Sequence, residues 1–119
     1  MILVDTSVWV EFFRHGSEEL QQLLDSGQAV MHPFVLGELA CGYLDPRAEI
    51  LGDLRELPCA VLASDDEVLY FIEQHQLMGA GIGYLDAHLL ASSKLSEGLG
   101  LWTYDKKLAR AANELSSIH

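Results

Sequence analysis

Four carboxylates stand where this 119-residue chain could do chemistry: Asp5, Glu38, Asp86 and Asp105. Asp5 follows Ile2, Leu3 and Val4, a consecutive apolar run that suits a strand buried on both faces of a parallel sheet. The strand must end there, because an unpaired carboxylate is costly to bury. Thr6 and Ser7 then supply short hydroxyls that can cap a helix starting near Val8. A carboxylate at the carboxyl end of a central strand, beside a helix N-terminus, lies where open α/β sheets hold their ligands. A lone aspartate in that place reads as a helix cap, but three further acids occupy matching contexts. Glu38 is the only charge in the apolar stretch Phe34 to Leu44, Asp86 opens a helix, and Asp105 follows another apolar strand.

Gathered carboxylates oppose their own folding: a pair ~4 Å apart repels by ~4 kcal/mol at an effective dielectric of ~20. Either some of them stay protonated or a cation holds them together. Oxygen ligands with open positions suit Mg²⁺ or Mn²⁺, which keep several waters and engage phosphates. Ions of this kind can activate a water and stabilise the leaving oxygen of a phosphodiester. Zinc fits less well, since no Cys/His set stands at ligand spacing. His88 is two residues from Asp86 and so faces elsewhere on a helix, while His15, His32, His75 and His119 are isolated; all five read as surface or structural residues.

The elements that must position these acids follow from pattern and punctuation. Ser7 to Arg14 reads as a short helix ended by His15-Gly16. Ser17-Glu18-Glu19 opens a second helix with a cap and first-turn acids, Leu20, Leu23 and Leu24 form its buried stripe, and Gly27 stops it. Ala29 to His32 is a short strand, and Pro33 suits the first turn of a helix from Phe34 to Leu44. That helix is apolar nearly all round, which implies deep burial. Asp45-Pro46 restarts a helix running to Leu57, and Pro58 to Ala63 is the third strand. Ser64-Asp65-Asp66-Glu67 fits a capping box, opening a helix that runs toward Met78. Gly79 to Gly83 is a loop without the fingerprint of a nucleotide site, since it follows a helix and not a strand. A helix from Tyr84 to Glu97, a fourth strand from Leu99 to Thr103, and a basic helix capped by Asp105 complete the series.

Strands and helices alternate, so an α/β fold follows, with helices on both faces of a parallel sheet. Parallel strands share a direction, so Asp5 and Asp105 leave the sheet at one edge. Helix starts lie at that same edge, which brings Asp86 close, with Glu38 about one turn into the helix after strand two.

The totals bound the rest. The length suits one domain, residues 1–119, and the 50% hydrophobic content argues for a packed core. No apolar run approaches the ~20 residues of a membrane span, and MILV is too short for a secretory signal, so a cytoplasmic location is expected. Cys41 and Cys59 have no metal or redox spacing and, lying among apolar residues, read as reduced core thiols. The formal charge of −11 excludes binding of nucleic acid by a broad basic face. Two divalent cations would bring it to −7 and would offset the acids where it matters (−11 + 4).

The stretches MILVDTSVWVEFF, VLGELACG, YLDAHLLAS and LWTYDKKL together resemble the PIN-domain family, and in particular the small bacterial toxins of VapBC toxin–antitoxin pairs. The resemblance covers nearly the whole chain, and the ordered set of four acidic motifs is what makes it specific. It implies a PIN-like α/β/α sandwich with a short, mostly parallel sheet and a metal-dependent endoribonuclease acting on RNA. Carried to this sequence, Asp5 and Asp86 would be the main ligands of Mg²⁺ or Mn²⁺, and Glu38 and Asp105 would complete the cluster. Thr6 and Thr103 match its supporting hydroxyls. A homodimer and a VapB-like antitoxin that blocks the site are further implications. The chain departs from many relatives in a short, polar tail after Arg110, where they carry another strand, and in a sparse supply of cations. Lys106 and Arg110 share a helix face at i, i+4 beside Asp105 and are the candidate phosphate contacts.

Trp9, Phe12 and Phe13 fall at helical spacing and read as packing, with Trp9 and Tyr84 the candidates for exposed rings. An acidic receiver-like phosphoacceptor module is a weaker reading: it needs a pair of acids after strand one, where this chain has Thr6-Ser7. A PIN-like domain that only binds partners is the third, and the presence of all four acids argues against it.

Overall fold

Three consecutive apolar residues at the N-terminus become the middle of the sheet. In the computed structural model, which describes residues 1–117, β1 (Ile2–Val4) lies between β2 (Ala29–Val30) and β3 (Gly100–Trp102). All pairings are parallel, with Ile2 opposite Ala29 on one side and opposite Gly100 on the other. Leu3 and Val4 are fully buried, as a strand covered on both faces requires. His119 lies outside the described residues.

Parallel neighbours need crossovers, and helices supply them. α1 (Thr6–His15) and α2 (Glu18–Asp25) connect β1 to β2. Between β2 and β3 come α3 (Pro33–Cys41), α4 (Arg47–Arg55), α5 (Asp65–His75) and α6 (Tyr84–Leu95), and α7 (Lys106–Ser117) follows β3. The result is an α/β/α fold with seven helices and a three-stranded parallel sheet among the described residues. α1 packs on α3, α5 on α6, and both α6 and α7 on β3. One apolar core joins Leu3, Val4, Trp9, Leu20, Leu89 and Leu108, so strand, crossover and terminal helix share a single interior.

Local chemistry sets the helix ends. Ser17 accepts the Leu20 N–H at 3.2 Å, and Ser64 and Glu67 form the expected capping box. α3 is capped by a histidine: His32 Nδ1 accepts the Phe34 N–H at 3.0 Å, next to Pro33 in the first turn.

The structure corrects several expectations. Pro58 to Ala63 is not a strand: it meets β2's extension through one bridge, Met31 with Cys59. Met31 donates to the Pro58 carbonyl at 2.7 Å and accepts the Ala60 N–H at 2.8 Å, and there the ladder stops. Val61 and Leu62 are both exposed, and only the small Ala60 and Ala63 are buried, so the segment lacks the large inward side chains of a sheet strand. α3 ends at Cys41, short of Leu44, and is not deeply buried; only Val35 and Leu39, one turn apart, are covered. Apolar composition all round the helix therefore did not decide which side faces the core. Cys41 and Cys59 are exposed thiols, one at a helix end and one at the sheet edge. α1 starts at Thr6 with Asp5 in the cap position and no side-chain cap bond, so the Thr6 and Ser7 hydroxyls are used elsewhere. α4 starts at Arg47 after a cis Asp45–Pro46 peptide, with Pro46 in the cap position.

Replacing Leu3 with alanine in the fully buried central strand is expected to destabilise the fold by about 2–5 kcal/mol. Urea denaturation checks this, and a cost below about 1 kcal/mol would mean the strand is not the centre of the core.

Candidate active site

Asp5 is set by the sheet. Its N–H donates to the Trp102 carbonyl at 2.9 Å, one residue beyond the β1–β3 register, so the backbone ladder runs into the site. Its carboxylate is only 7% exposed, and Oδ2 accepts two hydroxyl protons, from Thr103 at 2.7 Å and from Ser7 at 2.8 Å. Those hydroxyls each have a second task. Thr103 Oγ1 accepts the Asp105 N–H at 3.0 Å, and Ser7 Oγ accepts the Tyr104 N–H at 3.0 Å. The chain leaving β3 is thereby pinned to Asp5.

Asp105 is exposed and caps α7, its Oδ1 accepting from the Lys107 and Leu108 N–H groups at 2.9 and 3.0 Å. Glu38 lies in the second turn of α3 and is also exposed; Thr6 Oγ1, from the first residue of α1, donates to its Oε1 at 2.9 Å. The packing of α1 on α3 is what brings these two together.

Asp86 is half-buried in the first turn of α6. Burial pushes its carboxyl above the ordinary aspartate value, and the charges of Asp5, Asp105 and Glu38 push it further, against an opposing hydrogen bond from the Gly83 backbone. Asp86 therefore feels the charges of the other three acids. None of the four has a Lys or Arg partner among the described residues. Nor do any three His, Cys, Asp or Glu side chains among those residues already form a compact metal cage. The cluster is thus an open, uncompensated negative surface.

Other residues sort away from it. His32 and His88 are buried: His32 Nε2 faces Ser92 Oγ at 3.2 Å, and His88 Nε2 faces Asp65 Oδ1 at 3.3 Å. Because His32 Nδ1 accepts a helix N–H, its proton belongs on Nε2. Burial, and then the charge of His88, pushes His32 down to about 4. Trp9 is 1% exposed and belongs to the core, which removes it as a surface ring, whereas Tyr84 is 42% exposed.

Sequence reasoning missed Ser7 as a site residue and gave it a capping role. Its position two residues after Asp5 was the available signal, and only the return of β3 shows what the hydroxyl meets. Lys106 and Arg110 are exposed on α7 beside Asp105, as the i, i+4 spacing requires. Lys107 takes a different place: its side chain lies over Gly81, where a Cβ would come 2.8 Å from Cδ and 3.2 Å from Nζ. With φ at +81°, Gly81 is held to glycine by its backbone, whereas the exposed end of Lys107 could move aside.

Residues 2–114 match the PIN domain family, nearly the whole chain, and the fold and the ordered acids accord with that match. The chain belongs to the PIN-domain family. It is also similar to ribonuclease VapC32 of Mycobacterium tuberculosis, in strains CDC 1551 / Oshkosh and ATCC 25618 / H37Rv. Identity to each is 43% over 114 residues, covering 96% of this chain and 92% of the relative. Among the described residues of this PIN domain, no helix is long and apolar enough to cross a membrane.

A pH dependence follows for the protein in EDTA. Asp86 has a raised carboxyl in the folded state, so between the ordinary aspartate value and the raised one the folded form binds more protons than the unfolded form. Stability therefore falls as pH rises through that window. Asp86→Asn is expected to melt higher than the wild type at pH 7, with the gap closing below the ordinary aspartate range. Melting curves across pH check this; an equal or lower melting point for the variant at pH 7 would show that the acids do not strain the fold.

Proposed function

We propose that this PIN domain, residues 1–119, is the endoribonuclease toxin of a type II toxin–antitoxin pair, hydrolysing phosphodiester bonds in RNA with Mg²⁺ or Mn²⁺. The observation that carries the reading is the effect of Asp5, Asp105 and Glu38 on a half-buried Asp86 with no Lys or Arg partner among the described residues to offset them. Similarity to a protein named as a ribonuclease supports the substrate class. The donor set is all oxygen, which fits a hard divalent cation, and neutralising the cluster would relieve the repulsion on Asp86. Asp5 and Asp86 would hold it, with Glu38 and Asp105 completing the set directly or through water. Such an ion supplies an activated water and charge stabilisation at the leaving oxygen.

The chain's own residues do the positioning. Thr103 and Ser7 hold Asp5 through one oxygen, which leaves the other for a ligand, and Thr6 orients Glu38 in the same way. The Gly83 N–H steadies Asp86 against its neighbours. Lys106 and Arg110 are free of ion pairs among the described residues and would take backbone phosphates, drawing RNA to a domain whose net charge repels it. A VapB-like antitoxin, a homodimer and a cytoplasmic setting belong to the same proposal. The receiver-like alternative is not favoured: the family match and the glutamate facing Thr6 have no place in it.

The test is cleavage of total cellular RNA by the purified protein with Mg²⁺ or Mn²⁺, with EDTA, and with Asp86→Asn. Discrete products that need metal and fall by more than about 100-fold in the variant are expected. Cleavage that survives EDTA or the substitution would overturn the proposal. A second measurement addresses the cations: Lys106→Ala with Arg110→Ala is expected to weaken single-stranded RNA binding. The slope of log affinity against log salt should become shallower by about 1.4, the value for two phosphates. An unchanged slope would remove both residues from the RNA path.

A further inference from the structure

α3 brings Glu38 to the acid cluster, yet the core gives this helix little hold: only Val35 and Leu39 are buried along it. Its ends must therefore do much of the placing. At the C-terminal end the guanidinium of Arg47, the first residue of α4, donates to the Ala40 carbonyl at 2.6 Å and the Gly42 carbonyl at 3.1 Å. The N-terminal end is held from α6, the helix whose first turn contains Asp86.

That second link is buried throughout. His32, the cap of α3, has no exposed surface, and both ring nitrogens are engaged. Nδ1 accepts the Phe34 N–H at 3.0 Å, so Nε2 carries the proton and donates it to Ser92 Oγ at 3.2 Å. Burial pushes the ring down to about 4, so at neutral pH it is uncharged and keeps this one-donor, one-acceptor form. Ser92 is also fully buried and stands one turn after His88 on the same face of α6. Phe34 braces the pair: its ring lies 5.1 Å from that of His32 and 4.6 Å from that of His88. The first turn of α3 is thus registered against α6 through His32 and Phe34.

A polar pair is a poor choice if stability alone were needed. Apolar groups of the same shape in both places would hold the helices about as well, with no polar atoms to bury. What a hydrogen bond adds, away from competing water, is a set distance and direction. A metal site gains from such definition, since outer partners that orient its ligands strongly affect how tightly the ion is held.

We propose that His32 and Ser92 are positioning residues of the metal site: their buried hydrogen bond sets where Glu38 stands relative to Asp86, and through Glu38 it sets the affinity for a divalent cation. The inference rests on the metal-dependent reading of the acids and adds to it two residues outside the cluster.

The experiment measures Mn²⁺ binding by calorimetry to wild type, Ser92→Ala, Glu38→Gln and the double variant, with melting curves of each in EDTA. Ser92→Ala removes the hydroxyl and leaves the His32 cap in place; it is expected to raise the Kd for Mn²⁺ by about 10-fold. In the Glu38→Gln background the same substitution should change Kd by less than about 2-fold, because the ligand it positions is already lost. His32→Asn keeps a capping acceptor for α3 but is too short to reach Ser92, and should match Ser92→Ala. Should either variant melt below the assay temperature, the other carries the comparison. A loss that persists undiminished beside Glu38→Gln would overturn the inference, assigning the link to the fold alone. An unchanged Kd in both link variants would sink it too, as would a Glu38→Gln protein that binds Mn²⁺ as tightly as wild type. These results leave the ribonuclease reading standing. A wild type that binds no Mn²⁺ would fell the metal reading and this inference together.

Discussion

Like charges held at one edge of a sheet are the constraint on which this structure turns. Asp86 shows the strain directly: burial and three neighbouring carboxylates all disfavour its charged form. Nothing cationic in the described chain answers that charge. What answers it is geometry, a parallel ladder that fixes Asp5 and a pair of hydroxyls that hold its side chain. Hydroxyls suit the task because they satisfy a carboxylate oxygen without neutralising it. A lysine in the same place would stabilise the fold more and leave less charge for a metal to meet.

Thr103 carries much of this organisation. It donates to Asp5 and accepts from the Asp105 backbone, so one hydroxyl couples the ends of two adjacent strands. Ser7 repeats the arrangement with Asp5 and Tyr104. Asp105 in turn caps α7, whose Leu108 and Ala111 enter the core. The site and the core are therefore joined by short, local links, which lets the acids be placed by the sheet and does not leave them to flexible loops. Asp86 and Glu38 come instead from helices, and Glu38 is the more exposed of the two. It reaches the cluster from an exposed helix position and depends on Thr6 for its orientation.

The overall charge and the proposed substrate are reconciled by separating two functions in space. Asp5 and Asp105 lie just past the carboxyl ends of β1 and β3, and Lys106, Lys107 and Arg110 follow Asp105 on α7. Lys107 leans across Gly81 toward the loop that leads to Asp86 and so stands apart from the face shared by the other two. A phosphate backbone could thus find cations beside an anionic centre, even though the domain as a whole carries −11.

Much of this was legible in the residues themselves. The apolar run before Asp5, the capping signals at Ser17 and Ser64, and the alternation of strand and helix patterns each depend on neighbours in the chain, and they determined the α/β class. Topology then predicted a shared edge for Asp5, Asp86 and Asp105. What failed were inferences from composition to burial. α3 reads as apolar all round yet buries one stripe; Cys41 and Cys59 sit among apolar neighbours yet are exposed; Ser7 was given a helix to cap and meets Asp5 instead. Pro58 to Ala63 had the hydrophobicity of a strand without a partner to continue the ladder. Local sequence determines backbone preference and helix ends because those forces act within a few residues. The side of a helix that meets the core, the hydroxyl that meets a carboxylate 98 positions away, and the tyrosine hydroxyl that joins α6 to Asp65 of α5 were decided only when distant segments packed.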